Sequence, residues 1–222
     1  MNVHKSRRTG LLLSLLSTAS ALGQQSPHVK VTIVIYDSEH VGAKTLARAE
    51  RTAATILQTA GIESSWASGP VRDLSNLGMD FSAYPQSDCE HRPTSDILRV
   101  QILPRAPAGV ALQTLGYSLP CAKGGVQVTI FADRTANVSA MGGPTFGRVL
   151  GYAIAHELGH VLLHSGAHDA AGLMKDIWSK RDWQRAAVSI IAFSPAEGRR
   201  IAELNQRVAD GGSSELALLQ PH

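Results

Sequence analysis

The chain has 222 residues, 44% of them hydrophobic and 18% charged, which predicts a single globular domain with a sizeable core. The formal net charge is +3, and it falls to zero without Lys5, Arg7 and Arg8, so nothing beyond the first ten residues favours binding to nucleic acid or to an anionic membrane.

The N-terminus predicts an export signal. Its basic start is followed by an apolar run at residues 11–22 and by the small residues Ala21 and Gly23. This order is typical of a secretory signal peptide, and about 12 apolar residues are too few for a transmembrane helix, which needs ~20. We expect cleavage after Gly23, with cleavage after Ala21 as the alternative. Residues 1–23 would then be removed, and residues 24–222 would form one domain in a secreted or periplasmic protein without a membrane anchor.

The first half of the domain predicts a strand, a helix and a second strand. Residues 30–37 alternate and are rich in β-branched side chains, as strands are. Residues 42–62 carry an apolar stripe at helical spacing, with Gly61 as the stop signal. We expect a short strand at residues 64–67 and a long loop at residues 70–96.

The chain contains two cysteines, Cys89 and Cys121. An exported protein reaches an oxidising compartment, so the simplest prediction is one disulfide between them. The alternative is that the thiolates bind zinc, but no CxxC spacing supports it.

The second half predicts two further strands at residues 97–103 and 126–132, with a short edge strand between them. A helix should begin near Pro144 and continue through a group of histidines. A last helix should start at Ser194, which forms a capping-box sequence with Glu197, and should run to about residue 209. These elements predict an α+β fold: a mixed, twisted sheet with one helix that carries the histidines and a C-terminal helix.

Two histidines and a glutamate form the sequence HELGH on the helix predicted after Pro144. His156 and His160 are four residues apart, so they project from nearly the same helix face and can bind one Zn²⁺ at ~2.0–2.1 Å each. Glu157 lies beside the first ligand, where its carboxylate can take a proton from a zinc-activated water. Gly159 leaves room for close packing. This is the H-E-x-x-H motif with its metalloprotease mechanism.

HELGH, followed by a glycine, a later histidine and the tripeptide GLM, resembles the metzincin branch of the zincin metallopeptidases. The resemblance implies a zinc endopeptidase of metzincin-like fold with His156 and His160 as ligands and Glu157 as general base. It also implies that Met174 lies in a turn below the metal. The family pattern is H-E-x-x-H-x-x-G-x-x-H, whereas two additional residues precede His168 in this chain.

The third ligand has several candidates. His168 is favoured because Ser165 and Gly166 can end the helix, with Gly166 in the left-handed conformation, and the chain can then turn back towards the metal. His164 is the alternative, but on a straight helix it lies ~12 Å along the axis from the first histidine, and it is otherwise expected to be solvated or to support the site. The carboxylates of Asp169 and Glu197 are the remaining alternatives.

The chain is therefore predicted to be an exported zinc-dependent endopeptidase that acts on protein or peptide substrates. By the same resemblance, residues 109–119 are the candidate for binding the peptide by strand addition, although they can equally be an ordinary edge strand. Trp178 and Trp183 can line a specificity pocket or belong to the core. The alternatives are a zinc-dependent amidase or exopeptidase on the same fold, and a non-catalytic exported zinc-binding protein.

Overall fold

A computed structural model describes residues 29–70, 97–122 and 126–204. The elements in chain order are β1 (Val29–Asp37), α1 (Ala43–Thr59), β2 (Ile62–Ser68), β3 (Ile97–Leu103), β4 (Gly116–Ser118), β5 (Val128–Phe131), α2 (Ala132–Ala140), α3 (Phe146–Leu163) and α4 (Lys180–Val188). A last helix, α5, is described over residues 195–204.

The strands form one five-stranded sheet in the order β2-β1-β3-β5-β4. The pairs β1–β2, β1–β3 and β3–β5 are parallel, whereas β4 is antiparallel to β5 and lies at one end of the sheet. The predicted mixed sheet, with a histidine-bearing helix and a C-terminal helix, is confirmed.

The core forms between this sheet and the long helices α1 and α3. In β1 the alternating side chains Val31, Ile33 and Ile35 are buried, as the sequence pattern predicts. Helix α3 crosses α1 closely at Gly151, where an added Cβ would lie 2.6 Å from the Ala49 carbonyl oxygen. Only glycine permits this backbone approach, and the close packing holds α3, with its histidines, in a fixed position.

Helices α2 and α4 were not predicted from the sequence. Helix α2 follows β5 with no turn between them, so the predicted strand at residues 126–132 ends one residue early, at Phe131. Helix α4 begins with a capping box in which the Ser179 hydroxyl accepts from the Asp182 backbone N–H and the Asp182 carboxylate accepts from the Ser179 backbone N–H. The sequence S-x-x-D at residues 179–182 indicates this helix start, because it is a variant of the capping-box motif.

The capping box at the start of α5 is confirmed. The Glu197 carboxylate accepts from the Ser194 backbone N–H, and the Glu197 N–H donates to the Ser194 hydroxyl at 3.2 Å. Three other predictions concern residues outside the described ranges: the signal peptide at 1–23, the loop at 70–96 apart from residue 70, and the end of the last helix near residue 209. Cys89 also lies outside them, so its disulfide with Cys121 stays a prediction. Within the described ranges, no helix is long and apolar enough to cross a bilayer.

Candidate metal centre and cleft

Three histidine side chains converge at the C-terminal half of α3. His156 and His160 project from the helix, and His168 comes from the loop that follows it. One ring nitrogen from each lies within 4.8 Å of the other two, and among the described residues no other group of this kind is found. The structure therefore brings together the two helical histidines and the favoured third candidate.

Backbone carbonyls orient the two helical imidazoles. The Nδ1 atom of His156 lies 2.8 Å from the Leu173 carbonyl oxygen, and the Nδ1 atom of His160 lies 2.9 Å from the Ser165 carbonyl oxygen. Because a carbonyl can only accept, each Nδ1 carries the proton, and each Nε2 lone pair is free to bind a metal. Burial lowers the pKa of both rings to about 4, so both are neutral at pH 7, as ligands must be.

The spacing of the rings fits a zinc ion. The Nε2 atoms of His156 and His160 are 3.2 Å apart. Two ligands in a tetrahedral site with bonds of ~2.0–2.1 Å are separated by about 3.3–3.4 Å. Three neutral imidazoles are also a donor set used by catalytic zinc, with a fourth position left for water or substrate.

The chain reaches His168 through a turn different from the predicted one. The left-handed residue is His164, with φ 52° and ψ 37°, and not Gly166. The Ser165 N–H donates to the His160 carbonyl at 3.1 Å and the His164 N–H donates to the Val161 carbonyl at 3.3 Å, which satisfies two of the last four carbonyls of the helix. The helix thus ends two residues earlier than a stop at Gly166 would allow, because histidine is among the side chains that tolerate this conformation.

The other candidate ligands lie outside the histidine cluster. His164 is buried, with 7% of its surface exposed, so the expectation that it is solvated is wrong. Glu197 caps α5. Burial raises the pKa of its carboxyl and the neighbouring Asp169 carboxyl raises it further, whereas the Ser194 backbone N–H acts in the opposite direction. Neither carboxyl is grouped with the three rings.

Glu157 is buried between α3 and β4. Burial raises the pKa of its carboxyl, while the nearby His160 and a hydrogen bond with the Ser118 side chain act in the opposite direction. On β4, a Cβ added to Gly116 would lie 3.2 Å from the Glu157 Cγ and 2.6 Å from the Thr129 carbonyl oxygen. The glycine thus lets the edge strand lie directly against the carboxylate, a contact that no local sequence pattern announces.

Met174 lies beneath the histidine-bearing helix. Its side chain is 1% exposed, and a Cβ added to Gly159 would lie 2.5 Å from the Met174 Sδ and 2.8 Å from a ring carbon of Phe193. The loop that carries His168 is tied to the same place, because the Asp169 N–H donates to the Met174 carbonyl at 2.8 Å. The segment that carries Met174 therefore contacts the helix at Gly159 and is hydrogen-bonded to the loop that carries His168.

We expect Gly159→Ala to lower the free energy of unfolding by about 1–3 kcal/mol, because the new methyl group must displace two buried side chains. Gly198→Ala is the matched control: its Cβ would meet nothing closer than 3.6 Å, so this helical alanine should be neutral or slightly stabilising. Urea unfolding of both variants makes the comparison. Equal stability of the two would contradict the close packing of Gly159 on Met174.

The histidine cluster and Glu157 open into a cavity of about 1090 Å³. The residues before and within β4 line one part of it, so the segment predicted to bind peptide does border the site. Trp178 and Trp183 line another part, and both rings also pack on Tyr152, at centroid distances of 5.2 and 6.3 Å. The two tryptophans thus combine the two predicted roles, pocket wall and core.

No protein-family model matches the chain, and no curated protein matches it in sequence. Among solved structures, it is similar to a zinc-dependent peptidase from Methanocorpusculum labreanum at 16% identity and a TM-score of 0.46, over 77% of this chain and 99% of that one. It is similar to an archaemetzincin from Methanopyrus kandleri at 17% identity and a TM-score of 0.40, over 85% and 99%. It is similar to metalloproteinase-II from Bacteroides fragilis at 13% identity and a TM-score of 0.44, over 79% and 53%. All three likenesses are remote.

Proposed function

We propose that this protein is a zinc-dependent endopeptidase of the metzincin type. The observation that carries the proposal is the convergence of His156, His160 and His168 beside the buried carboxyl of Glu157, at one wall of a large cavity. A purely structural zinc site needs no acid beside it, and it usually has four protein ligands. The methionine turn under Gly159 supports the assignment to the metzincin type.

Zinc bound by the three imidazoles would polarise the scissile carbonyl and make a water molecule more acidic. The Glu157 carboxylate takes the proton of that attacking water and then delivers it to the leaving amine. The close approach of Gly116 on β4 to the Glu157 Cγ restricts where this carboxylate can lie. The carbonyls of Leu173 and Ser165 keep the two helical rings in the tautomer that leaves Nε2 unprotonated.

Two features favour an extended peptide over a small amide as the substrate. The cavity continues well beyond the histidines, along residues 108–120 on one side and to α4 on the other. Strand β4 ends the sheet, so its outer edge is in the position where a substrate backbone would add as a further strand.

Removal of the metal should abolish cleavage. We expect dialysis against 1,10-phenanthroline to eliminate hydrolysis of casein, and one equivalent of Zn²⁺ to restore it. Mass spectrometry of the products separates the alternatives: internal fragments indicate an endopeptidase, whereas single terminal residues indicate an exopeptidase. Zinc bound at one equivalent without hydrolysis of any protein, peptide or amide would leave the non-catalytic alternative and refute the proposal.

Export and the disulfide between Cys89 and Cys121 belong to the same proposal. Their support is the N-terminal sequence and the cysteine count. N-terminal sequencing of the protein from its native compartment tests the first, with Gln24 expected as the first residue. An intact Met1 would refute cleavage. Thiol titration under denaturing conditions tests the disulfide.

A further inference from the structure

The cavity extends from the histidine cluster onto helix α2. The lining residues from this helix and its C-terminal cap follow the spacing of a single helix face: Arg134, Asn137, Val138 and Met141. The residues that α2 buries, Ala132 and Thr135, lie outside this face. Met141 is 74% exposed although it is apolar. Helix α2 thus turns one cation and two apolar side chains towards the same space as the histidines.

Arg134 has hydrogen-bonding capacity that the described residues around it do not use. Its side chain is 13% exposed, and its Nη1 donates only a long bond, 3.5 Å, to the Leu112 carbonyl. Its Nε lies 3.7 Å from the Asp133 carboxylate, too far for a hydrogen bond, and has no other acceptor among the described residues. A guanidinium has five N–H donors, so most of those on this largely buried cation lack a protein acceptor within the described ranges.

The charges that line the cavity are separated in space. The two acids, Glu157 and Asp176, lie at the histidine end, where the Asp176 carboxylate is 3.9 Å from the His168 ring. The Lys175 ammonium is held at 2.7 Å by Asp182. Arg134 is instead on the α2 wall, where the only acid that pairs with it among the described residues is Asp133, at 3.7 Å. Apart from the proposed zinc, three cations line the cavity: Lys175, which Asp182 engages, Lys180, which is exposed, and Arg134, which is the least exposed of the three. A ligand carboxylate that does not bind the metal would therefore find its most buried cationic partner on α2.

We propose that Arg134 binds a carboxylate of the peptide substrate, while Val138 and Met141 contact an apolar side chain next to it. This inference rests on the proposed peptidase function and names the substrate class for it. A carboxylate matches the planar donor pair of a guanidinium, and such bidentate pairs are strong when partly buried. The carboxylate can belong to an acidic side chain or to the C-terminus of the peptide.

Four matched quenched-fluorescent peptides test the proposal. They carry Glu or Gln at one position of a common apolar sequence, each with a free or an amidated C-terminus. For the wild type, one of the two replacements, Glu by Gln or the free C-terminus by the amide, should lower kcat/KM at least about tenfold. The Glu/Gln ratio reports a side-chain carboxylate, and the acid/amide ratio reports a C-terminal one.

In Arg134→Gln the preference for the carboxylate peptide should disappear, mainly through KM. Arg134→Glu should reverse it towards a peptide with Lys at the Glu position. Arg51→Gln removes the same charge from the exposed surface of α1 and should leave activity and preference unchanged. Lys180→Gln, at another wall of the cavity, should keep the preference.

Equal cleavage of all four peptides by the wild type would overturn the inference, as would loss of the preference in Lys180→Gln but not in Arg134→Gln. Either result leaves the peptidase function standing. Failure of the zinc-loaded wild type to cleave any peptide or protein would instead overturn the proposed function itself.

Discussion

Replacing Glu157 by Gln should lower kcat/KM for peptide cleavage by about 10²–10⁴-fold, the usual contribution of a general base. The two side chains have nearly the same shape, so the amide can occupy the space between α3 and β4. It cannot take a proton from water, however. Because Glu157 lies outside the three-histidine group, the variant should bind zinc as the wild type does.

The measurement is zinc content by atomic emission together with initial rates on one fluorescent peptide. Glu63→Gln is the control: Glu63 is on β2, at the end of the sheet opposite to β4, where it pairs with Lys30 at 3.3 Å. This control should cleave like the wild type. If Glu157→Gln kept its zinc and its activity, Glu157 would not be the base. If it lost its zinc, the carboxyl would have to be assigned to metal binding.

The centre of the site was predictable because it depends on local geometry. The spacing of His156 and His160 places both rings on one face of any α-helix, and the strong apolar pattern before them predicts that helix. Glu157 follows from the same motif. The sequence also predicts β1 and β3, since both are short segments rich in β-branched and other apolar side chains.

The rest of the site depends on contacts between residues far apart in the chain. Glycine at position 116 is needed because Glu157, some forty residues later, packs against it, and nothing near position 116 indicates this. The left-handed residue after α3 is His164 although a glycine lies two positions later, because the carbonyls of His160 and Val161 need donors at residues 165 and 164. Glycine is the residue most often found in the left-handed conformation at the end of a helix, but here the hydrogen bonds of the turn decide which residue adopts it.

Helix α2 was missed for a related reason. Its nine residues, ADRTANVSA, include threonine, asparagine, valine and serine, which are mediocre helix formers, and no side chain caps its start. The helix is held instead by its packing on α3, with Ala132 and Thr135 buried. Tertiary packing thus creates the cavity wall that carries Arg134.

The second large effect concerns the third ligand. We expect His168→Asn to weaken zinc binding by at least about 100-fold, since losing a group that merely orients a metal ligand already costs 10–100-fold. Peptide cleavage should fall with zinc occupancy. The side chain is exposed at the end of a loop, so the free energy of unfolding of the metal-free protein should change little.

His164→Asn makes the matched comparison, because asparagine also tolerates the left-handed conformation that ends α3. This variant should bind one equivalent of zinc, but it should be less stable by about 1–3 kcal/mol, since a buried ring is replaced by a smaller polar group. Zinc affinity by chelator competition and urea unfolding of the apo-proteins give the four numbers needed. The opposite pattern, with zinc lost in folded His164→Asn and retained in His168→Asn, would place the third ligand at the helix end and assign the loop at His168 another role. If zinc is lost in His168→Asn and kept in His164→Asn, three imidazoles bind the metal. The two additional residues before His168 then change only the path by which the chain reaches the metal.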